Sequence, residues 1–189
     1  KGAFIGIVAQ YNDGLQLIIR DPQELDMTGE APTLKTFDDQ SITSGGWTTQ
    51  VVTGQFDWYT TDQGSSTHYA ALTNYDNGNT ASEVWLISPS FDFSNSTSPS
   101  LSFKNASNYN GPDLEVYVSV NYDGTSAPSS ATWSPLSATL SAGGFDWASS
   151  GAIDLSSYTG ANTYVAFKYT GTSSDGKTSA LAKTVKNLG

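Results

Sequence analysis

From residue 34 onward the chain alternates short apolar segments with polar turns. Leu114, Val116, Val118 and Val120 share one face of an extended chain, and Glu115, Tyr117, Ser119 and Asn121 share the other. Side chains alternate across a strand, so this pattern predicts one buried and one wet face. Val165, Phe167 and Tyr169 repeat it. Val84-Trp85-Leu86-Ile87 is apolar on both faces, which predicts a central strand lying between two sheets. The predicted strands are 34–38, 47–52, 55–61, 67–74, 82–88, 100–105, 113–121, 131–139, 144–153, 163–170 and 178–185. In the last of these Leu181 and Val185 share a face, while Ala180 and Ala182 make a poor opposite one. Turns fall at Asp76-Asn77-Gly78-Asn79, Asp123-Gly124, Gly143-Gly144 and Asp175-Gly176, where Gly and Asn supply positive φ. No long helical period and no internal repeat is visible. Many short strands joined by turns predict an all-β two-sheet sandwich.

Ahead of this region, Phe4, Ile5, Ile7 and Val8 predict one strand and Leu15, Leu17, Ile18 and Ile19 a second. Asn12-Asp13-Gly14 makes the turn of a β-hairpin. Pro22 ends it, since proline cannot donate to a ladder. The organisation expected is a hairpin over 1–26, a linker over 27–33 and the main domain over 34–189. A lone hairpin is marginal, so this one belongs to a larger unit or packs on the main domain.

Composition narrows the function classes. The chain has 189 residues, a formal net charge of -10 and only 8 Lys and Arg. A nucleic-acid binder needs a basic footprint, and none is present. An anionic membrane surface is disfavoured on the same ground. No apolar run is long enough for a transmembrane helix, so the chain is not expected to be membrane-embedded. Cysteine is absent, which removes disulfides, thiol catalysis and zinc–thiolate sites. Lys1-Gly2-Ala3 opens straight into a strand, with the look of a piece of a longer chain whose neighbouring domains are its first partners.

Several segments in order resemble the choice-of-anchor J and cleaved-adhesin (gingipain hemagglutinin-like) domains of Bacteroidetes surface proteins. They are Phe37-Asp38, Gly46-Trp47-Thr48, Trp85-Leu86-Ile87-Ser88-Pro89, Leu101-Ser102-Phe103, Val116-Tyr117-Val118-Ser119, Tyr122-Asp123-Gly124, Trp133-Ser134-Pro135-Leu136 and Ile153-Asp154-Leu155. The periodicity alone fits an immunoglobulin-like sandwich equally well; the resemblance selects a jelly roll. Gly6-Ile7-Val8 through Asp21 looks like the last strands of an OB-like domain, of which the hairpin would be a remnant. The resemblance implies an extracellular or outer-membrane-surface module that is not an enzyme. It also implies a structural Ca²⁺ held by an acid of the opening strand and a closing acid near the C-terminus. Asp38 and Asp39 match the former, but no acid follows Asp175. Asp76 is a further metal candidate, although an Asx-turn explains it equally well and EF-hand spacing fails.

His68 is the sole histidine, no G-x-S-x-G is present, and Ser119 to Gly124 is at best one imperfect sialidase-type Asp-box. No convergent catalytic set emerges. Carbohydrate recognition is the sharper expectation, because sugar C–H faces pack on aromatic rings while hydroxyls seek Asn, Asp and Gln. Phe56-Asp57-Trp58-Tyr59, Tyr69, Tyr75, Asn108-Tyr109-Asn110 and Phe145-Asp146-Trp147 offer that mixture. Strand aromatics usually pack, so the loop residues Tyr75, Tyr109 and Trp147 stand out, with Trp58 beside them; Trp47, Trp85 and Trp133 read as core. The expected function is adhesion or carbohydrate recognition, the partner being a glycan or a host or cell-surface protein. The alternatives are a spacer domain without a ligand and a hydrolase accessory.

Overall fold

The computed structural model describes residues 33–187, together with 3–4, 7–11, 14–18 and 25–26. Two short pairings precede the main domain. Strand β1 (Ala3–Phe4) pairs with β4 (Leu25–Asp26), and β2 (Ile7–Tyr11) pairs with β3 (Gly14–Ile18), joining Tyr11 to Gly14. The predicted hairpin is therefore present, but Phe4 leaves it for a strand of its own. The turn residues Asn12 and Asp13, and most of the 27–33 segment, lie outside the described residues.

Two antiparallel sheets form the sandwich, a jelly-roll architecture. One contains β5 (Thr33–Lys35), β7 (Tyr59–Thr61), β8 (Tyr69–Leu72), β10 (Ser100–Asn108), β13 (Ala148–Ser149), β14 (Ile153–Asp154) and β16 (Thr178–Asn187). Its order is β13-β10-β16-β8-β7, with β14 extending the β10 edge and β5 the β16 edge. The other sheet runs β12 (Ser134–Leu136), β11 (Glu115–Ser119), β15 (Tyr164–Gly171), β9 (Ser82–Ile87), β6 (Thr48–Thr53). The predicted strand 144–153 splits into β13 and β14. Ser150 sits between them, its N–H bonding Phe103 O at 2.9 Å and its hydroxyl accepting from Phe103 N at 2.9 Å.

Period-two burial fills the space between the sheets. Leu72, Val84, Leu86, Phe103, Val116, Phe167, Tyr169 and Leu181 are buried in one cluster with Phe37, Trp47 and Trp58. Phe103 and Phe167 meet edge to face at 4.9 Å, joining the sheets.

The prediction that β9 lies between the sheets is corrected. It is an interior strand of the smaller sheet, flanked by β15 and β6, and its outer face is covered by a loop rather than a sheet. Trp85, Ile87, Ala166 and Tyr122 form a second buried cluster with Tyr117, Trp133 and Tyr164. Trp85 contacts Tyr117 at 5.5 Å and Trp133 at 5.3 Å. The covering loop is closed by Asp123, which accepts from Thr125 N at 2.9 Å and Ser126 N at 2.8 Å. The Ser126 hydroxyl and these amides hold the Asp123 carboxyl down at about 2. The segment that looked like an Asp-box is thus a turn that packs a tryptophan cover. Because of that cover, the wet face predicted for Tyr117 and Ser119 is largely dry, whereas Val120, past the strand end, is exposed.

Candidate functional site

The larger sheet turns its outer face to solvent as a groove. Its floor follows from strand register. Tyr59 pairs with Ala71, Ala71 with Ala180, and Ala180 with Ala106, one row across β7, β8, β16 and β10. Since Leu72, Ala70 and Leu181 point into the core, the alternating Ala71 and Ala180 point outward. The poor face made by Ala180 is the bottom of this groove, where a longer side chain would fill it.

Aromatic rings stand around the floor. A hollow of about 460 Å³ is lined by Tyr59, Tyr69, Tyr109, Phe145 and Trp147 above the alanines. A second hollow of about 660 Å³ shares Thr73, Tyr109 and Thr178 with the first and continues to Tyr75, Asn79, Asn110 and Asp175. Tyr69 and Trp147 meet edge to face at 5.3 Å, and Tyr109 and Phe145 do so at 5.9 Å. Tyr69 donates to Gln63 O at 2.8 Å, and burial, with Tyr59 and Asp62 nearby, raises its phenol above the ordinary value.

Tyr109 and Phe145 both sit at positive φ, 69° and 61°. Bulky side chains rarely adopt this region, and each such residue costs about 1–3 kcal/mol. The loop carrying Phe145 is fixed nonetheless: Phe145 N donates to Ser107 O at 2.9 Å, and the Ser141 hydroxyl to Asp146 O at 2.7 Å. The fold thus holds two strained, exposed rings at the rim.

Three of the four sequence candidates come together here. Tyr75 (61 % exposed), Tyr109 (65 %) and Trp147 (39 %) all line the groove. Trp58 does not: it is 5 % exposed, packed in the core, and its neighbour Tyr59 faces the groove instead. Adjacent strand residues face opposite ways, so one of this pair had to be inside.

At the polar end, Asn74 is fully buried and holds two turns together. Its Nδ2 donates to Thr80 O (2.8 Å), Thr172 O (3.0 Å) and Asp175 O (3.2 Å), while the Tyr169 hydroxyl donates to its Oδ1 at 3.0 Å. Asn79 adds a bond from Nδ2 to Ser174 O at 2.9 Å. Burial pushes the Tyr169 phenol up to about 12, against the opposing pull of Asn74. The folded state then keeps this proton where the unfolded chain, titrating near 10, loses it. The associated stability is full below about pH 10 and is lost as pH rises to about 12, by about 3 kcal/mol. Urea midpoints should therefore fall between about pH 9.5 and pH 11.5, and fall less in Tyr169→Phe. An equal fall in that variant would assign the transition to other tyrosines.

The metal candidates do not converge. Asp38 and Asp39 are exposed in the loop after β5, and Asp76 is exposed in the turn after β8, where its Oδ1 accepts from Asn77 Nδ2 at 3.0 Å. No group of three His, Cys, Asp or Glu that could hold a metal ion forms among the described residues. Lys35 of β5, 6 % exposed, reaches into the loop that carries Asp38 and Asp39. Its Nζ donates to Ser41 O at 2.8 Å, Ser44 O at 3.2 Å and the Ser44 hydroxyl, and lies 5.0 Å from the Phe37 ring centroid. The donor set for calcium is therefore a poor fit here. His68 is half-buried just before β8.

Solved structures share this fold. The K1 cleaved adhesin domain of Lys-gingipain from Porphyromonas gingivalis W83 matches with a TM-score of 0.62 at 18% identity, covering 85% of this chain and 99% of that one. The K2 cleaved adhesin domain of Lys-gingipain matches with a TM-score of 0.60 at 15% identity, over 84% and 100%. TmCBM61, solved in complex with beta-1,4-galactotriose, matches with a TM-score of 0.52 at 9% identity, over 82% and 94%. No family model and no curated protein matches the chain.

Proposed function

We propose that the domain is a non-catalytic binding module that recognises carbohydrate in the groove on the larger sheet. The observation that carries this is the alanine row Ala71–Ala180–Ala106 walled by Tyr59, Tyr69, Tyr109, Phe145 and Trp147. A flat floor admits a sugar ring, aromatic faces pack on its C–H groups, and the amides of Asn79 and Asn110 lie in reach of hydroxyls. The shared fold with a module bound to galactotriose supports carbohydrate, and the likeness to cleaved adhesin domains supports a cell-surface or extracellular setting.

A glycan array on the folded protein tests the reading, followed by titration of the best ligand. Of the five tryptophans only Trp147 is exposed, so its fluorescence should respond to ligand. Trp147→Ala should weaken binding about tenfold or more with an unchanged melting temperature. A blank array would turn the assignment toward a spacer domain, and full binding by Trp147→Ala would put the glycan site outside this groove.

A further inference from the structure

Resting on that reading, we infer that the ligand is an uncharged glycan chain, about four sugar rings long, lying along the strands across two unlike subsites divided by Tyr109. The charge pattern selects the class. Of the described residues lining the two hollows, Asp175 alone is charged, and it stands at the polar end. No lysine or arginine among the described residues lines either hollow. Lys177, next to the lining residues Gly176 and Thr178, is paired with Asp113. Further acids sit beside lining residues: Asp62 after Thr61, Asp76 after Tyr75, and Asp146 between Phe145 and Trp147. On a chain of net charge -10, a uronate, sulfate or sialate would enter this groove unpaired and repelled. Sugar hydroxyls, in contrast, donate readily to carboxylates and amide oxygens.

Length follows from strand geometry. Tyr69, Ala71, Thr73 and Tyr75 line the groove at successive alternate positions of one segment. Tyr69 and Ala71 lie in β8 and Thr73 and Tyr75 just past its end, so three two-residue steps span at most about 20 Å, room for up to about four pyranose rings. The two ends differ chemically. The first hollow is aromatic over an alanine floor; the second is bounded by Asn79, Asn110, Ser174 and Asp175. Tyr109 lines both, and its strained backbone fixes the ring between them. Ring stacking at one end and hydroxyl bonding at the other would orient the chain.

Calorimetry on the whole chain can test this with oligosaccharides of one to six rings: neutral galactan, xylan, glucan and mannan series, acidic oligogalacturonate, and cationic chitosan. A neutral series should bind with affinity rising about threefold or more per ring up to about four rings, then levelling. That affinity should change less than about twofold between 50 and 500 mM salt. Tyr109→Ala should flatten the length dependence, and Asn110→Ala should weaken four-ring chains while sparing two-ring ones. Preference for the acidic or cationic series, steep salt dependence, or no gain beyond one ring would overturn this inference. If such binding were also lost in Trp147→Ala, the groove would remain a glycan site and only its ligand class would be wrong. No binding by any series would overturn the glycan reading itself.

Discussion

Asn74→Ala should lower the unfolding free energy by about 3 kcal/mol, the largest loss expected of any polar substitution in the domain. The side chain is fully buried and serves four partners: the carbonyls of Thr80, Thr172 and Asp175 and the hydroxyl of Tyr169. Alanine would leave these groups competing for whatever water can enter, and each unmet buried group costs about 1–3 kcal/mol. The amide ties the turn after β8 to the turn after β15, so its loss should also free Tyr75 and Asp175 at the polar end of the groove. Gly176→Ala is the independent check. A Cβ there would lie 1.5 Å from Asn74 Oδ1, so the amide must move. Both variants should show a matching drop in urea midpoint, and the double variant less than the sum, because they break one network. A loss below about 1 kcal/mol in Asn74→Ala would mean that water replaces the amide at little cost.

Strand positions were legible because their signal is local. Alternation at Leu114, Val116 and Val118 and the apolar run at Val84 to Ile87 mark strands whatever packs on them. What packs on them is not local. Trp85 needs cover on its outer face, and only the folded loop from Asn121 to Trp133 shows that a tryptophan and a tyrosine supply it rather than a second sheet. The groove divides in the same way. Loop position drew attention to Tyr75, Tyr109 and Trp147, which the structure gathers. Tyr59, Tyr69 and Phe145 were set aside as strand packing or as neighbours, since nothing in the chain order says which face of the larger sheet stays open. Ala71, Ala106 and Ala180 carry no signal singly and become a floor only through register among three strands. A usable clue for Trp58 was present: with Tyr59 beside it in an extended segment, only one ring could face outward. Asn74 lies in a polar turn region, where an asparagine is unremarkable until its four partners converge.

Lys35→Met is expected to destabilise the domain by about 2 kcal/mol, and Lys35→Ala by more, while a chelator leaves the unaltered protein's melting temperature unchanged. The resemblance implies a calcium at Asp38 and Asp39, and the loop that carries these acids also receives the Lys35 ammonium. Burial lowers the Lys35 pKa, with partial compensation from Asp39. The Ser44 hydroxyl, which accepts from Lys35, also helps hold the Asp39 carboxyl below its usual range, followed by the amide of Ser41. Lysine, serine and aspartate thus form one chain in which a tethered cation organises two backbone carbonyls, the role a metal ion would play. Methionine keeps the apolar stem against Phe37 and deletes the charge, so the difference between the two variants separates packing from the ammonium. Chelator sensitivity of the unaltered protein would show a metal acting beside the lysine and would refute this account. Restoration of Lys35→Ala by added calcium, with no such effect on the parent, would show that the loop is a cation cage and that the lysine is its resident cation. The absence of restoration with the full stability loss would show a site shaped for the ammonium alone, since calcium demands six or more oxygens and the loop offers its lysine three.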